Sequence, residues 1–119
     1  MRSSKMRMDN LAKALAILIV EEGNYSYVDR IGYAPSKGLA LFYIREALRD
    51  LHSLIRSGEV KAEGAKELLR GLDFNNVYKE IEDVEALEDR EDLREALSVL
   101  ASKALTLSAS ALKRGVVNK

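Results

Sequence analysis

Apolar residues return every three or four positions through most of this 119-residue chain, and no stretch alternates strictly between apolar and polar. That period keeps one face of an α-helix apolar, so the pattern predicts helices nearly throughout and no strands. A first helix is expected over residues 11–22, capped by Asp9 or Asn10 and stopped by Gly23 and Asn24. Leu11, Leu15 and Leu18 form one face, and Ile17, Ile19 and Val20 carry the apolar surface around much of the circumference. A helix of that kind belongs at the centre of a fold.

A short second helix fits residues 25–31, ended at Gly32. Pro35 favours extended backbone before it, and Ser36 is placed to cap a third helix. This long helix runs from Ser36 to Ser57 and closes at Gly58, with Leu41, Ile44, Leu48, Leu51 and Ile55 as a continuous seam. A shorter helix is expected over residues 60–70, with Gly71 past its end, and another from Asn75 or Asn76 to about Leu87. Asp89 with Asp92 resembles a capping pair for a long last helix. There Leu93, Leu97, Leu100, Ala104, Leu107 and Ala111 alternate four and three residues, among enough alanine and serine for another helix to approach closely. The expected fold is an all-α, single-domain bundle of five or six helices over residues 1–119, with residues 1–8 a flexible basic N-terminus and residues 115–119 a flexible end.

Nineteen acids balance nineteen bases, so the molecule as a whole has no polyanion-binding charge. Their placement is uneven. Residues 80–95 hold nine acids against Arg90 and Arg94, whereas residues 96–119 hold no acid and four bases. The absence of cysteine excludes disulfides, thiolate metal sites and cysteine nucleophiles. Glutamine is absent as well, a bias that fits a thermophile's avoidance of labile side chains. The apolar run "LAKALAILIV" contains Lys13, leads straight into Glu21 and Glu22, and is too short to span a bilayer. The chain reads as a soluble cytoplasmic protein with no membrane partner.

Nothing in the pattern asks for catalysis, a metal or another cofactor. The single histidine, His52, has no base or nucleophile spaced to serve it. The acids at 80–95 lack the glycine-centred oxygen loop of calcium sites and the Glu-x-x-His pairs of di-iron bundles. A different constellation stands out on the long helix. Arg45, Arg49, His52 and Arg56 are spaced four, three and four, and so share one narrow stripe about a quarter-turn from the apolar seam. Lys37 opens the same helix, and the junction "GNYSYVDRIGYAPSKG" before it brings Tyr25, Tyr27, Arg30 and Tyr33. Cations at a helix start attract phosphate, and aromatic faces beside cations are what sequence-tolerant single-strand binding uses. Lys37, Arg45, Arg49, Arg56, Arg30, Tyr25, Tyr27 and Tyr33 are therefore the candidate nucleic-acid residues. The opposing reading pairs the arginines with acids of residues 80–95 and uses the tyrosines to fill gaps between short helices.

The stretch "EEGNYSYVDRIGYAPSKGLALFYIREALRDL", within residues 11–55, resembles the small helical subunit of archaeal type I-A CRISPR interference (Cascade) complexes. The resemblance implies a non-catalytic subunit that sits among other subunits of a ribonucleoprotein complex and helps to hold opened target DNA. Single-stranded DNA or guide RNA would then be its nucleic-acid partner. Two alternatives stay open. The order of a greasy helix, a break, a short helix, a glycine turn and a capped helix also fits a helix-turn-helix regulator. A structural dimerisation or adaptor protein, self-associating through the alanine-rich last helix, is the other.

Overall fold

The computed structural model describes residues 6–117, with side chains through Arg114. Six helices and no strand occur among the described residues: α1 (Asp9–Glu22), α2 (Ser26–Gly32), α3 (Lys37–Arg56), α4 (Glu63–Arg70), α5 (Phe74–Ala86) and α6 (Arg90–Val117). The all-α bundle expected from the periodicity is what forms.

α1 is the hub, packed against α3, α4, α5 and α6. Its breadth of apolar surface explains why: Leu11, Ala12 and every residue from Ala14 to Ile19 are buried. α2 lies on α3 and α6, and α4 lies on α1 and α6. α6, about 42 Å long at 1.5 Å per residue, runs nearly the full 46 Å long axis of the molecule. The α3 seam is buried as its spacing predicts, with Ala40, Ala47 and Leu54 added and Ile55 at its edge. Ser36 accepts a hydrogen bond from the Leu39 N–H at 3.2 Å, the cap expected of it.

Several helix ends differ from the expectation, mostly for one reason: another helix supplies the cap. Asp9 and Asn10 lie inside the first turn of α1 and do not precede it. Glu80 of α5 accepts instead, from Leu11 N–H at 2.7 Å, Asn10 N–H at 3.1 Å and Asn10 Nδ2 at 3.2 Å. A carboxylate there meets both the orphan donors and the positive end of the helix dipole. At the other end of α1, Glu21 accepts from the N–H groups of Lys61 and Ala62, so residues 60–62 stay extended and α4 starts at Glu63, three residues later than its pattern suggested. α5 starts at Phe74 because Asp73 caps it, accepting from Asn75 N–H at 3.0 Å; Asn75 and Asn76 are inside the helix. Asp89 does cap α6, accepting from the N–H groups of Glu91 and Asp92.

The N-terminal expectation also changes. Residues 1–5 lie outside the described part, but residues 6–8 are not a free basic arm: Met8 is buried, Met6 packs on the core and Arg7 pairs with Asp9 at 3.0 Å. Met8 adopts a φ of 56°, a left-handed conformation disfavoured for a residue with a Cβ, and its burial holds it there. Lys103 of α6 reaches the same corner at 2.6 Å from Asp9, and its ammonium keeps the Asp9 carboxyl below the usual range. At the other terminus α6 continues through Val117, and residues 118–119 lie outside the description.

The alanine- and serine-rich part of α6 allows the close approach its composition suggested. A Cβ added at Gly64 of α4 would stand 2.4 Å from the carbonyl oxygen of Ala111 and 2.8 Å from its Cβ. Backbone cannot yield there as a side-chain tip would. Gly64→Ala is expected to lower the unfolding free energy by about 3 kcal/mol in urea titrations, the cost of forced overpacking. Gly38→Ala, in open space at the start of α3, is expected to raise it by about 0.5 kcal/mol. Glu80→Ala should cost about 2 kcal/mol by the same measurement, because it leaves two part-buried backbone donors unmet. Glu80→Gln, which keeps one acceptor, should cost less.

Candidate nucleic-acid interface

α3 turns its seam inward, which carries Arg45, Arg49 and Arg56 to its outer face. Each arginine then meets a different environment. Arg45 pairs with Glu85 of α5. Arg49, with 77% of its side chain exposed, stands 3.7 Å from Glu46 on its own helix, a loose contact across one turn. Pairs of that kind are screened and weak, so the guanidinium remains open to a second anion. Arg56 is exposed and makes no ion pair among the described residues. The stripe is thus neutralised at its N-terminal end and cationic toward its C-terminal end.

Lys37 is engaged inside the fold. Its ammonium donates to the carbonyls of Glu85 and Leu87, both at 2.7 Å, and so caps the C-terminus of α5. Arg30 lies 5.7 Å above the ring of Tyr43, a cation–π contact between α2 and α3. Tyr27 donates its hydroxyl proton to Asp50. Asp50 lies a hundred degrees around α3 from Arg49, so Tyr27 sits beyond the side on which the stripe faces out. Tyr33, 87% exposed, stands beside α6, where it lines a shallow depression with Leu105. Tyr25 is exposed at the start of α2. The eight candidates therefore do not converge on one surface. Arg45, Arg49 and Arg56 remain together; Tyr27 and Tyr33 lie on other sides.

Aromatic groups do accompany the arginines, and they come from elsewhere in the chain. A groove between α3 and α5 is lined by Arg45, Leu48, Arg49 and His52 on one wall and Tyr78, Ile81, Glu82 and Glu85 on the other. Tyr78 is exposed in it, with its hydroxyl 3.1 Å from His52 Nε2. The His52 ring is stacked on Phe74 with centroids 4.8 Å apart. Phe42 is exposed one turn before Arg45 and two turns before Arg49, on the same outer face of α3. Spacing within α3 marks out Phe42, but Tyr78 comes 26 residues after His52 and only the α3–α5 packing joins them. Chemically the groove offers one open guanidinium, an aromatic wall and a carboxylate boundary at Glu82 and Glu85. Among the described residues no cluster of His, Asp or Glu could hold a metal ion, and no helix is long and apolar enough to cross a membrane.

The Tyr27–Asp50 contact has a measurable signature. Burial, and then the hydrogen bond to Asp50, push the Tyr27 phenol up to about 12. A phenol ionises harder in the folded state, so its contribution to stability is complete below pH 10 and is lost as pH rises from 10 to 12. Ultraviolet titration of the tyrosines should show one late phase near pH 12, absent in Tyr27→Phe.

No family model matches the chain, and no solved structure matches it. An uncharacterized protein of Archaeoglobus fulgidus is 52% identical over 107 residues, which cover 90% of this chain and 92% of that protein. Identity at that level over nearly the full length of both chains leaves no room for a different fold, and the chain belongs to one family with this archaeal protein.

Proposed function

We propose that the protein is a non-catalytic, nucleic-acid-holding helical subunit, acting as an accessory part of an RNA-guided interference complex. The observation that carries this reading is the outer face of α3. Arg49 and Arg56 hold cationic heads in solvent there, with Phe42 on the same face and Tyr78 across the groove. Exposed guanidinium groups beside exposed aromatic faces suit a single strand, whose phosphates and unstacked bases need both. The acids at Glu82 and Glu85 limit the cationic area, so the protein acting alone binds weakly. In a guided complex that suffices, because base pairing supplies sequence specificity and the protein has only to hold the strand.

A helix-turn-helix reading is less favoured. In that architecture the first turns of α3 would meet base edges. Those turns expose Gly38, Leu39 and Phe42, which donate no side-chain hydrogen bonds, and Lys37 is committed to α5. His52 is likewise held by Phe74 and Tyr78, an arrangement that positions the ring within the groove.

Fluorescence anisotropy of a labelled single-stranded oligonucleotide at low and moderate salt tests the proposal. Arg49→Ala/Arg56→Ala should weaken binding and reduce the salt slope by about 1.4, roughly 0.7 for each lost phosphate contact. Tyr78→Ala should weaken binding by about 1–3 kcal/mol with the slope unchanged, as loss of one stacked base requires. Equal weak binding by all three proteins would remove α3 as the interface. Preference for a particular duplex over single strands would favour the regulator.

A further inference from the structure

A second face of the molecule is unpartnered, and it belongs to α6. Ser98, Ser102, Leu105, Ala109 and Leu112 are all exposed and succeed one another at four, three, four and three residues. That spacing is the a/d repeat of a helix pair, about a third of a turn around α6 from the side on which Leu97, Leu100, Ala104 and Ala111 enter the core. Leu105 and Leu112 are each 43% exposed, one heptad apart, and Tyr33 of α2 extends the apolar surface beside Leu105. Ala109 stands between the two leucines on this face.

We infer that this face pairs with the same face of a second copy of the chain, with the two α6 helices antiparallel. Charge selects the occupant and the orientation. The first turns of α6 expose Glu91 and Glu95 together with Arg90 and Arg94, whereas no acid lies beyond Glu95. Toward the far end, Arg114 is paired with Glu67 and Lys103 with Asp9, which leaves Lys113 exposed with no ion pair among the described residues. Glu95 is also exposed and unpaired among them. Eighteen residues separate Glu95 from Lys113, five whole turns, so both flank the seam on the same side. Antiparallel copies place Glu95 of each beside Lys113 of the other, twice per dimer. A parallel pair would set Glu95 beside Glu95 and Lys113 beside Lys113 and align the two helix dipoles unfavourably. The interface is isologous and closes on two chains. In this register the two-fold axis passes beside Leu105, so the two Leu105 side chains meet near it and Leu112 of each copy lies close to Ser98 of the other.

Sedimentation equilibrium on the full chain tests this. Wild type is expected to approach twice the monomer mass as concentration rises, while Leu105→Glu/Leu112→Glu remains monomeric with unchanged helical circular dichroism. Both positions are exposed, so the variant has no reason to misfold. Lys113→Glu should weaken the dimer about tenfold, and Glu95→Lys/Lys113→Glu should restore it. The chain has no cysteine, so single-cysteine variants report orientation directly. Glu95→Cys mixed with Lys113→Cys should cross-link to each other, and neither should cross-link to itself. A wild-type monomer at every concentration would overturn the inference and leave the face to a different protein. A dimer indifferent to Leu105→Glu/Leu112→Glu, or Glu95→Cys linking to itself, would also overturn it. Single-strand binding through α3 is a separate measurement and can succeed or fail independently.

Discussion

The fold depends on satisfying the ends of a helix that has almost no surface of its own. α1 is buried from Leu11 to Ile19 apart from Lys13. Burial on that scale is the main favourable term, yet it withdraws the helix's terminal backbone groups from water. The first donors go to the Glu80 carboxylate, which fixes α5 against the start of α1. Asn10 Oδ1 then accepts from Asp73 N–H at 3.1 Å, at the beginning of that same helix. Lys37 closes the other end of α5 onto the start of α3. Three helices are thereby held in one frame by side chains acting on one another's backbones, and the α3–α5 groove is a by-product of that frame.

α4 illustrates the same logic under a different constraint. An eight-residue helix is too short to persist alone in water. It is held at its start by Glu21, at its end by Lys13 donating to Gly71 O at 3.0 Å, and along its side by contact of Gly64 with Ala111. The third contact explains why α6 is so rich in small residues over its second half. Ala104, Ser108 and Ala111 face inward there, and larger residues would push α4 off its two polar anchors. The outward small residues, Ser98, Ser102 and Ala109, have no such intramolecular duty.

Legibility in the sequence divides along the same line. Helix count, the α3 seam, the central position of α1 and the stop at Gly23 were legible because each is set by neighbours within one or two turns. Caps were legible only where they are local, as at Ser36 and Asp89. The Glu80 cap on α1 was not, since the two partners are about seventy residues apart and the sequence offers Asp9 and Asn10 as nearer candidates. The arginine stripe could be read from spacing, but not which arginine stays free, because that depends on Glu85 lying against Arg45. The tyrosines misled by adjacency. Nearness along the chain placed them with the stripe, whereas the rotation of α2 against α3 sends Tyr27 to Asp50 and the turn after α2 sends Tyr33 toward α6. Tyr78 took their place through packing alone.

The zero net charge argues against polyanion binding only if the charges are free, and many of them are not. Glu80, Glu21, Lys37 and Lys13 act as helix caps, and Lys103, Arg45 and Arg114 are paired across elements. Much of the charge is thus consumed by holding the helices together, and the total says little about what the surface presents. Among the charges that remain unpaired in the described residues, Arg49 and Arg56 stand on the outer face of α3, and Glu95 and Lys113 on the outer face of α6. Both helices pack on α1 and α2, each through its inner side, so their outer faces do not compete for one partner. Pairing through α6 would leave two α3 faces open on one particle. Linked sites raise effective concentration without any new contact, which would strengthen the single-strand grip proposed for α3.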